Sequence, residues 1–333
     1  MRIVMRAAVI AAVGLASAGL VTGCGKAGQS GTTAAKDVQG AGCAPVAGQQ
    51  LVLLTDDKKL QAADNVIPAI NAKVADPALV AALDKVSSAV GGKDLISLNK
   101  ATNVDRKTPK VAAEEFAASV KLTDGLAKGP GGKITVGVAD FNENQTLGEL
   151  YRIALGAAGY QATVQQIGNR ELYEPALEKG EIQVVPEYVS TLTEFLNKKL
   201  NGASAAPLSS SDLDKTVAAL TDLGTRAGLK FGRPSQATDQ NAFAVTKAFA
   251  DKYKVGTLSE FGSKCSGKAT ILGGPNECKE RPFCKPGLEQ TYGIQFGQFA
   301  SFDAGGPQTK NALTTGAASI GLVFSSDAAF ATS

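Results

Sequence analysis

KITVGVADFNENQTLGELYRIALGAAGYQATVQQIGNRELYEPALEKGEIQVVPEYVSTLTEFL, residues 133–196, decides the fold. Ile134, Val136 and Val138 alternate with the period of a strand. After a polar loop over 139–146, Leu147, Leu150, Tyr151, Ala154, Leu155 and Ala158 recur at helical spacing, and Gly159 stands where a helix ends. Ala162 and Val164 alternate again. Leu172, Pro175, Ala176 and Leu177 suit a second short helix closed by Gly180, and 182–185 is a short apolar run of the buried-strand type. Strands separated by helices of this length imply right-handed crossovers and a parallel sheet. Ligands of such sheets bind beyond the carboxyl ends of the strands, here 139–146 and 186–191.

The 333 residues suffice for about two domains, and 44% apolar content supplies their cores. Net charge is +3, with no Lys/Arg stripe interleaved with aromatics, so nothing points to nucleic acid. Histidine is absent, which excludes triads that need imidazole and zinc sites that need a His ligand. No cofactor is expected.

Arg2 and Arg6 precede an apolar run over 7–21, shorter than the roughly 20 residues of a bilayer span, so 1–23 is a secretory signal. Val21-Thr22-Gly23-Cys24 resembles a bacterial lipobox, in which the cysteine receives lipid. Residues 24–43 are rich in Gly, Ala, Ser, Gln and Thr and should form a flexible tether. The expectation is a soluble domain, lipid-anchored at the extracytoplasmic face of the cell membrane. In that compartment Cys43, Cys265, Cys278 and Cys284 allow two disulfides and three pairings. Cys278 and Cys284 flank a tight loop, and closing it would leave Cys43 for Cys265.

Elsewhere, 51–54 is an apolar strand followed by a short apolar segment at 65–70 that carries Pro68. Leu79, Val80, Leu83, Val86 and Val90 form one face of a helix. Thr108 and Pro109 open another as N-cap and first-turn residue. A Gly/Lys-rich linker occupies 123–132. Residues 231–246 are polar and extended, then apolar, as a segment crossing between domains would be.

Five pieces in order resemble one family: ITVGVADFNENQTLGELY, IGNRELYEPALEKGEIQVVPEY, ATDQNAFAVTKAFADKY, ERPFCKPGLEQTYGI and ALTTGAASIGLVFSSD. They are similar to substrate-binding lipoproteins of ABC importers for glycine betaine, choline, carnitine and related osmoprotectants. The resemblance implies a two-lobed α/β fold of the type II periplasmic-binding-protein kind, with two crossing strands as hinge. LVLLTDDKKLQAADNVIPAIN resembles a segment that the family places after its last strand, yet here it begins at Leu51. The chain therefore looks circularly permuted. Expected units are a larger lobe over 44–238 (44–122, linker 123–132, then 133–238), a smaller lobe over 239–325, and a tail over 326–333 that returns to the larger lobe.

The resemblance implies a monomer that takes a small solute and meets membrane permease subunits. It also implies the ligand contacts. Tyr188 matches a cage tyrosine and Thr191 a nearby polar contact. Phe243 and Phe324 stand where the family often has tyrosines. Arg281 matches an arginine that grips a carboxylate. Phe141 and Asn142 lie in the first binding loop, and Asp239 and Asn241 at the crossing. Quaternary ammonium groups lack N–H donors and are held by ring faces, so several rings are required. Departures are Ala139 in place of a lysine and no aromatic near Lys310. Two other readings are a binding protein for a different small solute and a surface sensor on the same fold. An enzyme using Glu143, Glu187 and Asp239 as acid and base has no supporting motif.

Overall fold

The computed structural model describes residues 32–34 and 37–330. The signal segment and Cys24 lie outside the described residues. The described strands are β1 Thr32–Ala34, β2 Leu51–Leu54, β3 Val66–Asn71, β4 Lys133–Val138, β5 Gln161–Gln166, β6 Val184–Tyr188, β7 Leu229–Phe231, β8 Asn241–Thr246, β9 Gly267–Gly274, β10 Phe296–Ser301 and β11 Ile320–Phe324. They form two sheets, ordered β5-β4-β6-β3-β7 and β1-β10-β9-β11-β8-β2.

In the first sheet β4 runs parallel to β5 and β6, as the alternation over 133–196 predicts. The segment at 65–70 enters this sheet as β3, antiparallel to β6 and β7. Pro68 would normally be excluded from an interior strand because it lacks an N–H. It lies opposite Pro186, so the two missing donors fall on one rung. Helices Pro77–Ala89, Gly92–Asn103, Pro109–Ser119 and Asn142–Ala157 pack on one face, and Arg170–Lys179, Val189–Asn201 and Leu213–Arg226 on the other. The two-residue period sorts β6 between these cores: Val184 and Tyr188 join the first, Val185 the second. Glu187 and Tyr188 therefore face opposite sides of the sheet. A Cβ at Gly148 would collide with Val138 of β4, so glycine there lets the Asn142–Ala157 helix sit close on the sheet.

In the second sheet β9, β10 and β11 are parallel, and β8 and β2 add antiparallel at one edge. This corrects the expected boundary of the larger lobe. Residues 51–54 pair with β8, from Leu51 opposite Thr246 to Leu54 opposite Phe243, and Cys43 and Leu54 lie in the smaller lobe's core. Without β2, the apolar strand β8 would leave an open edge. The chain thus crosses between lobes three times: at 55–65, at 232–240 and just after Phe324. The first binding loop is also shorter than 139–146, because the helix begins at Asn142.

Cys43 is bonded to Cys265 across a separation of 222 residues, and Cys278 to Cys284 across 6. In the chain-entropy account a long closed loop constrains the unfolded state more than a short one. Replacing both Cys43 and Cys265 with Ser should lower unfolding stability by about 2–5 kcal/mol, and opening the short ring by about 2 kcal/mol. Urea unfolding of the two double variants checks the order.

Candidate functional site

Both sheets aim the carboxyl ends of their parallel strands at one cleft. Ala139, Asp140 and Phe141 follow β4; Tyr188 and Thr191 end and follow β6; Pro275 follows β9, Phe302 follows β10 and Phe324 ends β11. These residues border a cavity of about 710 Å³ between the lobes. Phe141 links three of the rings on its wall, with ring centroids 6.4 Å from Tyr188 and 5.8 Å from Phe324, both stacked at 27°.

Of the residues expected from sequence, Phe141, Tyr188, Thr191, Asp239, Asn241, Arg281 and Phe324 line this cavity. Phe243 does not. It is 1% exposed inside the smaller lobe's core, beside Leu54. Asn142 borders instead an adjoining cavity of about 150 Å³, which shares Phe141 and Phe324 with the first, and donates to Asn103 at 2.8 Å. Arg281 is not free to grip a ligand carboxylate. It pairs across the cleft with Glu171 at 3.0 Å and with Glu277 at 3.7 Å. Burial pushes the Glu171 carboxyl up, and the Arg281 guanidinium beside it more than offsets this, so its pKa lies below the ordinary value.

Sequence reasoning missed much of what surrounds these residues. Arg170 makes a two-pronged pair with Glu187, both bonds 2.7 Å, and donates to Thr191 Oγ1 at 2.8 Å. Tyr173 OH and the Tyr188 N–H also donate to Glu187, at 2.9 and 3.0 Å. Both charges are buried, so removing one alone would cost about 3–5 kcal/mol. Asp64 Oδ1 accepts the Ser190 and Thr191 N–H groups at 2.8 and 3.1 Å, supplying from the first crossing the cap that Tyr188 does not provide. Phe195, Phe283, Phe302 and Lys198 also line the cavity. The helical spacing of Thr191, Phe195 and Lys198 was the one signal in the sequence that could have found two of them.

Behind Tyr188 two carboxyls meet at one hydroxyl. Ser326 Oγ lies 2.6 Å from Glu143 Oε2 and 2.6 Å from Asp239 Oδ1. Tyr188 OH donates to Glu143 Oε1 at 2.7 Å, and Asn99 Nδ2 to Glu143 Oε2 at 2.5 Å. A hydroxyl has one proton to donate, so one of the two carboxyls must carry a proton and donate back. Burial pushes both carboxyls above their ordinary values, and for Asp239 the adjoining Glu143 charge adds to this. Neither they nor Glu187 is free as acid or base toward a bound molecule.

Burial also raises Asp64, from 3.8 to about 7, against the pull of the Thr191 N–H. The folded chain then holds more protons than the unfolded one between those values. The stability this one group contributes is fully present below 3.8 and is lost as pH rises through about 7. Asp64→Asn keeps an acceptor for both N–H groups without the charge, and should flatten this fall. Urea unfolding free energies measured in steps across the window check it.

The sequence matches the family described as the substrate binding domain of the ABC-type glycine betaine transport system, over residues 44–119 and 132–333. Among curated proteins none matches. Among solved structures the chain is similar to one described as the crystal structure of a glycine betaine/carnitine/choline ABC transporter. Identity is 19%, over 57% of this chain and 68% of that chain, with a TM-score of 0.36. The family match spans most of the chain and both lobes, and the protein belongs to this family of ABC-importer substrate-binding domains, which are transport components and not enzymes.

Proposed function

We propose that this substrate-binding protein captures a quaternary-ammonium solute of the glycine betaine, choline or carnitine type between its lobes and delivers it to the permease. The observation that carries this reading is the ring cluster of Phe141, Tyr188 and Phe324 on the wall of the cleft. A methylated ammonium group offers no N–H to the polar lining but is attracted to ring faces. The lining supports a cation too: besides Asp64 and Asp239, whose burial favours their protonated forms, it carries six Asp or Glu side chains against four Lys or Arg, a balance that concentrates positive charge in the cleft. Ligand contacts made to both lobes at once favour the closed arrangement over the open one.

Isothermal titration with glycine betaine, choline, carnitine and proline tests the reading. The three quaternary compounds should bind, and proline should bind more weakly. Phe324→Ala should weaken the tightest of them by about 2- to 30-fold, the range for one desolvated ring contact. Absence of binding by all three at millimolar concentration would overturn the ligand assignment.

We also place the protein at the outer face of the membrane, tethered by lipid on Cys24, on the strength of the Val21-Thr22-Gly23-Cys24 motif. Cys24→Ala should move the protein from the membrane fraction to the soluble fraction. A variant that still sediments with membranes would count against the anchor.

A further inference from the structure

Among the basic side chains that line the cavity, one is without a carboxylate partner in the described residues. Four basic residues line it: Arg170, Lys198, Lys199 and Arg281. Arg170 is held by Glu187, Lys199 by Glu174 and Glu178, and Arg281 by Glu171 and Glu277. Among the described residues Lys198 alone of the four has no carboxylate partner. Its Nζ donates only to the Glu280 backbone carbonyl across the cleft, at 3.3 Å.

The Val189–Asn201 helix sets the distance. Thr191, Phe195 and Lys198 stand at helical spacing on the face that borders the cavity. Thr191 lies beside the ring cluster, and Lys198 is about 10 Å further along the helix axis at 1.5 Å per residue. Between them is Phe195, and Leu172, Pro282 and Phe283 line the same cavity. Along this helix the cavity wall therefore presents Thr191, then Phe195, then Lys198.

We propose that Lys198 reads an anionic group on the ligand, and that the preferred ligand is an extended zwitterion whose ammonium and anionic groups are separated by a methylene chain. This rests on the reading that the rings hold a quaternary ammonium group. Glycine betaine, with a single methylene between its charges, cannot reach from the rings to Lys198. A longer betaine places its methylenes against Phe195 and lets its carboxylate displace the weak bond to the Glu280 carbonyl. Lys198 is a specificity residue that touches the ligand's far end and leaves the ammonium site alone.

The test is isothermal titration with tetramethylammonium, glycine betaine, γ-butyrobetaine and the trimethylbetaine of ε-aminocaproate, on the wild type, Lys198→Gln and Lys198→Arg. Affinity should rise about tenfold or more from glycine betaine to the longest betaine, as a charge-assisted contact is gained. Lys198→Gln should abolish that rise, Lys198→Arg should keep most of it, and both should bind tetramethylammonium like the wild type. If tetramethylammonium binds but glycine betaine is the tightest of the series, the extended-ligand inference is overturned and the quaternary-ammonium reading stands. If Lys198→Gln weakens tetramethylammonium as much as the longest betaine, Lys198 does not read the anion. If no member binds, both readings fall together.

Discussion

Everything at the cleft depends on two carboxyls being held at one hydroxyl. Asp239 comes from the second crossing between lobes, Ser326 from the third, and Glu143 from the helix that follows β4. The first crossing is joined to the same point, since the Asp239 N–H donates to the Asp64 carbonyl at 3.0 Å. Like charges this close cannot both persist in a buried site, so the cluster must keep a proton to stay together. With that proton it links three chain passes and fixes the hydroxyl of Tyr188. The ring of Tyr188 is thereby oriented by the same residues that connect the lobes.

The two sides of β6 divide the work of the site. Glu187 faces the helices at 170–179 and 189–201 and anchors Arg170 and Tyr173; Tyr188 faces the helix at 142–157 and reaches Glu143. A shift of one residue in β6 would exchange them, putting a carboxylate against Glu143 and a tyrosine against Arg170. The buried Arg170–Glu187 pair adds little net stability by itself, because desolvation offsets most of its attraction. Its effect is to penalise that shifted register and every arrangement in which either partner is left alone.

Much of the fold was legible because it rests on local periodicity. The alternation of Ile134, Val136 and Val138, the cap at Thr108 with Pro109, and the stop at Gly180 all appear where the sequence put them. What was not legible is depth and partnership. Asn241 and Phe243 lie on one face of β8, but Phe243 is about 7 Å further along the strand, which takes it from the cleft into the core. Periodicity gives a residue's face and not its distance from the strand end. Phe324 pairs with Asn241 at the hinge end of β11 and so reaches the cleft. In the same way a lone sequence cannot show that Arg281 is already taken by Glu171, on the other lobe and 110 positions away, or that Lys198 is not taken.

The bonds that span the cleft are weak, and closure follows from that. The Arg281 and Glu171 side chains are 31% and 41% exposed, a setting in which an ion pair contributes about 0–1 kcal/mol. The other polar tie noted at the mouth is the Lys198 bond to a carbonyl at 3.3 Å. Such contacts guide how the lobes meet without holding them shut. A binding protein whose own contacts closed it firmly would gain nothing from its ligand, since a ligand shifts an equilibrium only by its differential affinity for the two states. The strong interactions, at Glu187 and around Ser326, lie within one lobe or at the crossings and do not tie one rim of the cleft to the other. On the proposed function, closure is then decided by what the ligand itself adds at the rings and at Lys198.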